Sequence, residues 1–166
     1  MSEAAGKSCR TIETKLGNFY ILQAADGTIS TSWDKPPDDY REDSDLCPDL
    51  AKRLKMYFTG RPVDFSDVPL PDGTEFFRKA WQACRSIKHG TTISYSELAR
   101  KAGSKAGAAR AAGQAMRRNP LPVIIPCHRV VGADGKLHGY SGSQDPEGKP
   151  LNLKKALLDL EKNASA

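Results

Sequence analysis

No stretch of this 166-residue chain approaches the roughly 20 consecutive apolar residues of a membrane span. Residues 1–10 also lack the apolar core of a secretory signal. The chain is therefore expected to stay in a reducing, intracellular compartment, with no membrane partner. Cysteine is scarce: Cys9, Cys47, Cys84 and Cys127 stand far apart, with no CxxC pair and no His-x-x-x-His spacing. That spacing argues against a zinc site, and a reducing compartment argues against a disulfide framework. Acidic residues thin out along the chain. Residues 1–72 hold 13 Asp/Glu against 9 Lys/Arg, whereas residues 73–166 hold 7 against 16 and all three histidines. A basic half beside an acidic half suits a polyanionic partner, although a solvated basic surface would carry the same charge. With 39% hydrophobic and 27% charged residues, the composition is that of a soluble globular protein of one or two small domains.

The first segment alternates like a β-meander. Strands are expected over residues 11–16, 19–24 and 28–33, with turns at Gly17-Asn18 and Asp26-Gly27. A Pro/Asp-rich loop follows over 35–47. Asp49 is then expected to cap a helix running to Phe58 and closed by Gly60. Residues 62–71 read as a linker, which places the domains at 1–72 and 73–166. From Thr74 the pattern turns helical: Phe77, Ala80, Trp81, Cys84 and Ile87 form one apolar stripe, ended by His89-Gly90. Cys84 lies on that stripe and reads as core. Ser94 and Glu97 form a capping box that starts a short helix ending near Gly103. Ser104 is expected to cap a second helix over 105–118, stopped by Asn119-Pro120. Two helices joined by a glycine turn are a helix-turn-helix candidate or a plain helical hairpin. The second helix favours the former. Arg110, Gly113, Gln114 and Arg117 share one face with little bulk, opposite an apolar face of Ala108, Ala112, Ala115 and Met116. Small residues admit a close approach to a groove, and arginine pairs with phosphate or stacks on bases. Residues 121–125 read as a buried strand, 133–135 as a turn, and 139–142 as a glycine-hinged loop. Leu153, Leu157 and Leu160 mark a final helix, with Glu161 near its end.

The chemistry concentrates in Ile124-Ile125-Pro126-Cys127-His128-Arg129-Val130-Val131. Structural cysteines usually have apolar neighbours and are inert. Cys127 has an imidazole and a guanidinium beside it, the surroundings that turn a thiol into a thiolate nucleophile. Adjacent residues on a straight strand point to opposite faces. Either the chain turns after Pro126, or a water bridges Cys127 and His128; the water is the favoured expectation.

The run from Asn119 to Val131 resembles the active-site signature of the O6-alkylguanine-DNA alkyltransferases. The likeness continues upstream through Ile93-Ser94-Tyr95 and residues 108–113, and downstream through Gly139-Tyr140-Ser141-Gly142. It covers residues 74 to 166 well and the first half in outline. The resemblance implies a two-domain α/β fold: a small antiparallel sheet plus helix, ribonuclease-H-like, then a mostly helical, winged-helix-like domain with a helix-turn-helix. It implies irreversible, single-turnover transfer of an alkyl group from O6-alkylguanine in double-stranded DNA to Cys127, after the nucleotide flips out of the duplex. His128 and Glu161 would relay the thiol proton through water, Asn119 would hold the neighbouring turn, and Tyr95 would meet the guanine ring. Arg110 would enter the base stack, with Ala109, Gly113, Gln114, Arg117 and Ser94 at the DNA. Met116, Pro122, Val130, Tyr140 and Ser141 would line the pocket. No cofactor and no metal are implied: the zinc site of the human-type proteins has no counterpart cysteine pair here. A monomer in a bacterial or archaeal cytoplasm, or in a nucleus, is expected. Gln114, His138, Ser143 and an insertion over 144–150 depart from the usual pattern and bear on which alkyl groups fit.

Independent chemistry points the same way. An O6-alkyl carbon is buried in the stack, so in-line attack requires flipping. Guanine leaves more readily if its ring is protonated as the bond breaks, which Tyr95 or a water can supply. The thioether product gives water no good leaving group, so Cys127 is spent. Three other readings compete. A non-catalytic lesion-binding relative would have replaced the cysteine. A cysteine hydrolase would leave the arginine-bearing helix unexplained. A plain helix-turn-helix regulator would leave Cys127 idle.

Overall fold

A computed structural model describes residues 6–104, 108–137 and 149–164. It divides into two compact units, Met1–Val63 and Asp64–Ala166.

In the first unit β1 (Ser8–Thr14), β2 (Gly17–Gln23) and β3 (Ile29–Ser32) form the expected meander, paired antiparallel with Ile12 opposite Phe19 and Leu22 opposite Ser30. Gly17 and Gly27 adopt φ of 116° and 90°, the left-handed region that glycine tolerates. The sheet is not purely antiparallel. A two-residue strand, β4 (Arg41–Glu42), joins the free edge of β1 in parallel, giving the order β3-β2-β1-β4. It lies inside the expected loop, paired by the Arg41 amide to the Lys7 carbonyl at 2.9 Å and the Asp43 amide to the Cys9 carbonyl at 2.7 Å, and one carboxylate adds to these. Glu42 accepts the Thr11 amide at 2.8 Å, the Thr11 hydroxyl at 3.1 Å and the Cys9 thiol at 3.3 Å. The helix α1 (Pro48–Tyr57) begins two residues earlier than expected, with Cys47 as N-cap at φ 46°. Asp49 is not the cap; it lies in the first turn and pairs with Arg53 at 2.9 Å. Phe19, Trp33 and Phe58 pack edge to face with centroids 4.7–5.7 Å apart, closing the sheet on its helix.

In the second unit α2 (Glu75–Arg85) starts at Thr74, whose hydroxyl accepts the Phe77 amide at 3.1 Å. It ends at Arg85, before the expected His89-Gly90 stop, and Ile87 is buried beyond its end. The expected stripe is otherwise its buried face, with Ala80, Trp81 and Cys84 inside. Strand β5 (Ile93–Ser94) leads into α3 (Tyr95–Lys101). Ser94 accepts the Glu97 amide at 3.1 Å, while the Glu97 carboxylate returns to the Ser94 hydroxyl at 3.5 Å. Gly103, at φ 86°, closes α3: its amide donates to Arg100 and that of Ser104 to Ala99, satisfying two orphan carbonyls.

The next helix, α4 (Ala109–Arg117), begins later than expected, and its N-cap is Ala108, not Ser104. The Ser104 amide belongs to the end of α3. Ala112, Ala115 and Met116 are buried, and the Trp81 indole donates to the Ala115 carbonyl at 2.8 Å, pinning α4 to α2. Residues 121–125 are not a strand but a buried turn, although every side chain in them is apolar. Val123 sits at φ 74°, and the Ile125 amide returns to the Leu121 carbonyl at 2.8 Å. A 3₁₀ turn over Cys127–Arg129 follows, then β6 (Val130–Val131), which pairs parallel with β5. The last helix is α5 (Lys149–Ala164). Among the described residues, no helix is long and apolar enough to cross a membrane.

Candidate active site

Asn119 builds the base of the site. Its side-chain amide donates to the Ile125 carbonyl at 2.8 Å, and its carbonyl accepts the Leu121 amide at 2.8 Å. One side chain thus ties both ends of the turn that a run of five apolar residues would otherwise leave extended. Beyond it the chain turns, as one of the two alternatives required: the Arg129 amide reaches back to the Pro126 carbonyl at 2.9 Å. This aims Cys127, His128 and Arg129 in different directions.

Cys127 is only 5% exposed. Burial raises its thiol above the ordinary range, while the Asn119 amide, the Lys154 charge and the amides of Cys127 and His128 pull it back toward thiolate. Of the four thiols it alone has N–H groups directed at sulfur. Burial raises the others too; Cys9, beside Glu42, is pushed up to about 11.

His128 and Glu161 are both fully buried, with Nε2 and Oε2 2.6 Å apart. Burial holds the imidazole below its usual range, despite the attraction of Glu161. Burial would raise the Glu161 carboxyl, but His128 and Arg129 hold it well below the carboxylate range. A carboxylate only accepts, so Nε2 carries the proton of the neutral ring and the lone pair falls on Nδ1. Glu161 also accepts Arg129 Nε at 2.8 Å, Arg129 Nη2 at 2.9 Å and the Gly90 amide at 3.1 Å. Arg129 Nη1 donates to the Ile87 carbonyl at 2.8 Å. The loop after α2, the 3₁₀ turn and α5 thus meet on one carboxylate. Gly90, at φ 81°, gives that loop its required bend.

Tyr95 is half-buried at the start of α3, beside the β5–β6 pairing that sets Ile93 opposite Val130. Burial pushes its phenol up to about 12, so it is a proton donor at neutral pH. Gly113 on α4 faces it: a Cβ there would lie 4.0 Å from the Tyr95 ring. Arg110, Gln114 and Arg117 are exposed, Ala109 and Ser94 half-exposed, and Met116, Pro122 and Val130 buried. Tyr140, Ser141, His138, Ser143 and residues 144–148 lie outside the described residues.

Two site groups were not singled out from sequence. The first is the Arg129 fork on Glu161, which the sequence showed only as a cation next to Cys127. The second is Lys154, 0% exposed on α5. The buried stripe of that helix is Leu153, Lys154, Leu157 and Glu161, while Leu160 is only half-buried. Lys154 stands seven residues before Glu161 with Leu157 between them, and this placing of a lysine on an apolar stripe was the available signal. Among the described residues, no group of three or more His, Cys, Asp or Glu is placed to hold a metal ion.

Residues 75–163 match the family model described as 6-O-methylguanine DNA methyltransferase, DNA binding domain. The methylated-DNA--protein-cysteine methyltransferase of Mycobacterium leprae is 36% identical over 162 residues, covering 93% of this chain and 92% of the relative. That of Methanosarcina acetivorans is 39% identical over 125 residues, covering 75% of each. A crystal structure of Mycobacterium tuberculosis OGT in complex with DNA aligns with a TM-score of 0.75 at 35% identity, covering 95% of this chain and 94% of that one.

Proposed function

This chain belongs to the 6-O-methylguanine DNA methyltransferase family, and from that premise we propose how its residues repair alkylated DNA. The activity is direct reversal: the alkyl group of O6-alkylguanine in double-stranded DNA passes to a cysteine of the protein, once per molecule. Cys127 is the acceptor. The observation that carries this is the position of Cys127 at the start of the 3₁₀ turn whose next residue, His128, forms the buried pair with Glu161. The non-catalytic lesion-binding alternative has no use for such a thiol.

His128 takes the Cys127 proton at Nδ1, through a water, while Glu161 holds Nε2 and stabilises the imidazolium that forms. The sulfur attacks the alkyl carbon as the carbon–O6 bond breaks, and Tyr95 protonates the departing guanine. Asn119 keeps the turn beneath Cys127 in shape and directs an amide at its sulfur. The exposed face of α4 lies along the DNA, with Arg117 and Gln114 in the groove and Ala109, Gly113 and Ser94 allowing close approach. Arg110 fills the gap left by the flipped nucleotide. Met116, Pro122, Val130, Tyr140 and Ser141 line the pocket. Residues 1–72, ribonuclease-H-like, support residues 73–166, a winged-helix-like unit carrying the helix-turn-helix. The protein works as an intracellular monomer, needs no cofactor, and can assemble cooperatively on DNA.

The test is duplex DNA carrying labelled O6-methylguanine. Label should accumulate on Cys127 and stop at one equivalent; continued turnover, or label on another residue, rejects the reading. Arg110→Ala should slow repair of duplex by about tenfold or more and hardly affect a free O6-alkylguanine base, because a stand-in for the flipped nucleotide matters only in a duplex. Equal slowing of both substrates would remove Arg110 from that role.

A further inference from the structure

Lys154 is fully buried on α5, and beyond its charge, which favours the Cys127 thiolate, the attack gives it no step. Its Nζ donates to the Leu137 carbonyl at 2.7 Å and to the Tyr95 hydroxyl at 3.4 Å, and it lies 5.7 Å from the centre of the Tyr95 ring. A buried ammonium is expensive to maintain, and a lysine stem could have turned outward. Here it is held against the phenol that faces the reaction.

Resting on the transferase reading above, we propose that Lys154 is a positioning residue: it fixes the Tyr95 phenol and returns a proton to it as that phenol protonates the leaving guanine. The balance is complete. A carbon–sulfur bond forms at Cys127 and the carbon–O6 bond breaks, its electron pair passing to guanine. A ring nitrogen of guanine takes the Tyr95 proton, and the phenolate takes one from the Lys154 ammonium. The resulting amine is re-protonated by solvent, as the proton on His128 is lost to it.

The acidities run in the required direction. Burial pulls Lys154 down to about 8, against the pull of Cys127 and Cys84, and pushes Tyr95 up to about 12. The ammonium is thus much the stronger acid, and a phenolate beside it does not persist. Among the described residues, the titratable groups facing Lys154 include Tyr95 from α3, Cys84 from α2, and Cys127 and His128 from the 3₁₀ turn.

Single-turnover transfer from the labelled duplex, compared with methylation of Cys127 by iodomethane, tests this. Iodide needs no proton to leave. Lys154→Met should slow transfer from guanine at saturating duplex by about tenfold or more, the scale of a lost proton donor. Its iodomethane rate should fall much less, only by what the lost charge costs the thiolate, and its duplex affinity should be unchanged. In a Tyr95→Phe background the same change should add nothing. The wild-type transfer rate should fall above about pH 8 as the ammonium is lost. Lys154→Arg should keep the charge yet slow transfer from guanine as Lys154→Met does, since a guanidinium does not release its proton. Equal slowing of both methyl donors would assign Lys154 to the thiol and overturn the proposal, as would an unaffected transfer rate or additivity with Tyr95→Phe. If Lys154→Met does not fold, transfer from guanine at the wild-type rate in Lys154→Arg overturns it. Wild-type protein that takes no label from guanine would sink the transferase reading itself, a separate outcome.

Discussion

Cys127→Ala should bind lesion-bearing duplex within about threefold of wild-type affinity and take no label from it. Binding is carried by phosphate contacts and the exposed face of α4, none of which involves this sulfur. Transfer is carried by the sulfur alone, and no neighbouring group can replace it. His128 is committed to Glu161 at 2.6 Å. Cys84 is fully buried and raised far above the thiol range, so it holds its proton at neutral pH. Cys127→Ser should be equally inert, because a hydroxyl is much harder to deprotonate than a thiol. Equilibrium binding on labelled duplex, with peptide mapping of the protein, checks both halves. Label on Cys84 in the alanine variant would show that the electrostatic surroundings, rather than one sulfur, define the acceptor. Loss of binding would place Cys127 in the recognition surface.

The second large effect is on stability. Arg129→Met should lower the unfolding free energy by about 3–5 kcal/mol, the range for removing one partner of a buried ion pair. The Arg129 side chain makes two contacts to Glu161 and one to the Ile87 carbonyl, all at 2.8–2.9 Å. Without it Glu161 is a buried carboxylate left with an imidazole and one backbone amide. Arg129→Lys should fall between, since an ammonium restores charge but not the two-pronged geometry. The double variant Arg129→Met with Glu161→Gln should be more stable than Arg129→Met alone, because no buried charge is then orphaned. Urea unfolding followed by far-ultraviolet circular dichroism gives these values, provided the dependence on denaturant is unchanged. A loss under about 1 kcal/mol for Arg129→Met would mean that water reaches Glu161.

The features legible in the sequence are those set by local rules. Ser94 and Glu97 start α3 because the Ser94 hydroxyl accepts the Glu97 amide and the Glu97 carboxylate in turn accepts that hydroxyl. Cys127 was legible because a thiol, an imidazole and a guanidinium adjoin in a context with its own signature. Residues 121–125 were misread for the opposite reason. Their composition suits a strand, and only Asn119, hydrogen-bonded at both ends of the segment, makes them turn. Strand β4 was missed because two residues carry no alternation; its own carboxylate, Glu42, finds its donors on β1, some 31 residues earlier. Ser104 looked like a helix cap but belongs to the end of the helix before it, whose Gly103 takes the left-handed conformation. Lys154 and the Arg129 fork depend on contacts across long stretches of chain, which no window of neighbouring residues contains.

The convergence on Glu161 also sets an order of assembly during synthesis. His128 and Gly90 meet a carboxylate 33 and 71 positions further along the chain. While the ribosome is still translating that interval, Arg129 has no counter-ion to enter the interior with, and His128 nothing to fix its tautomer. A reagent that can be used only once is thus kept unprimed in the nascent polypeptide, and becomes reactive when the last helix docks.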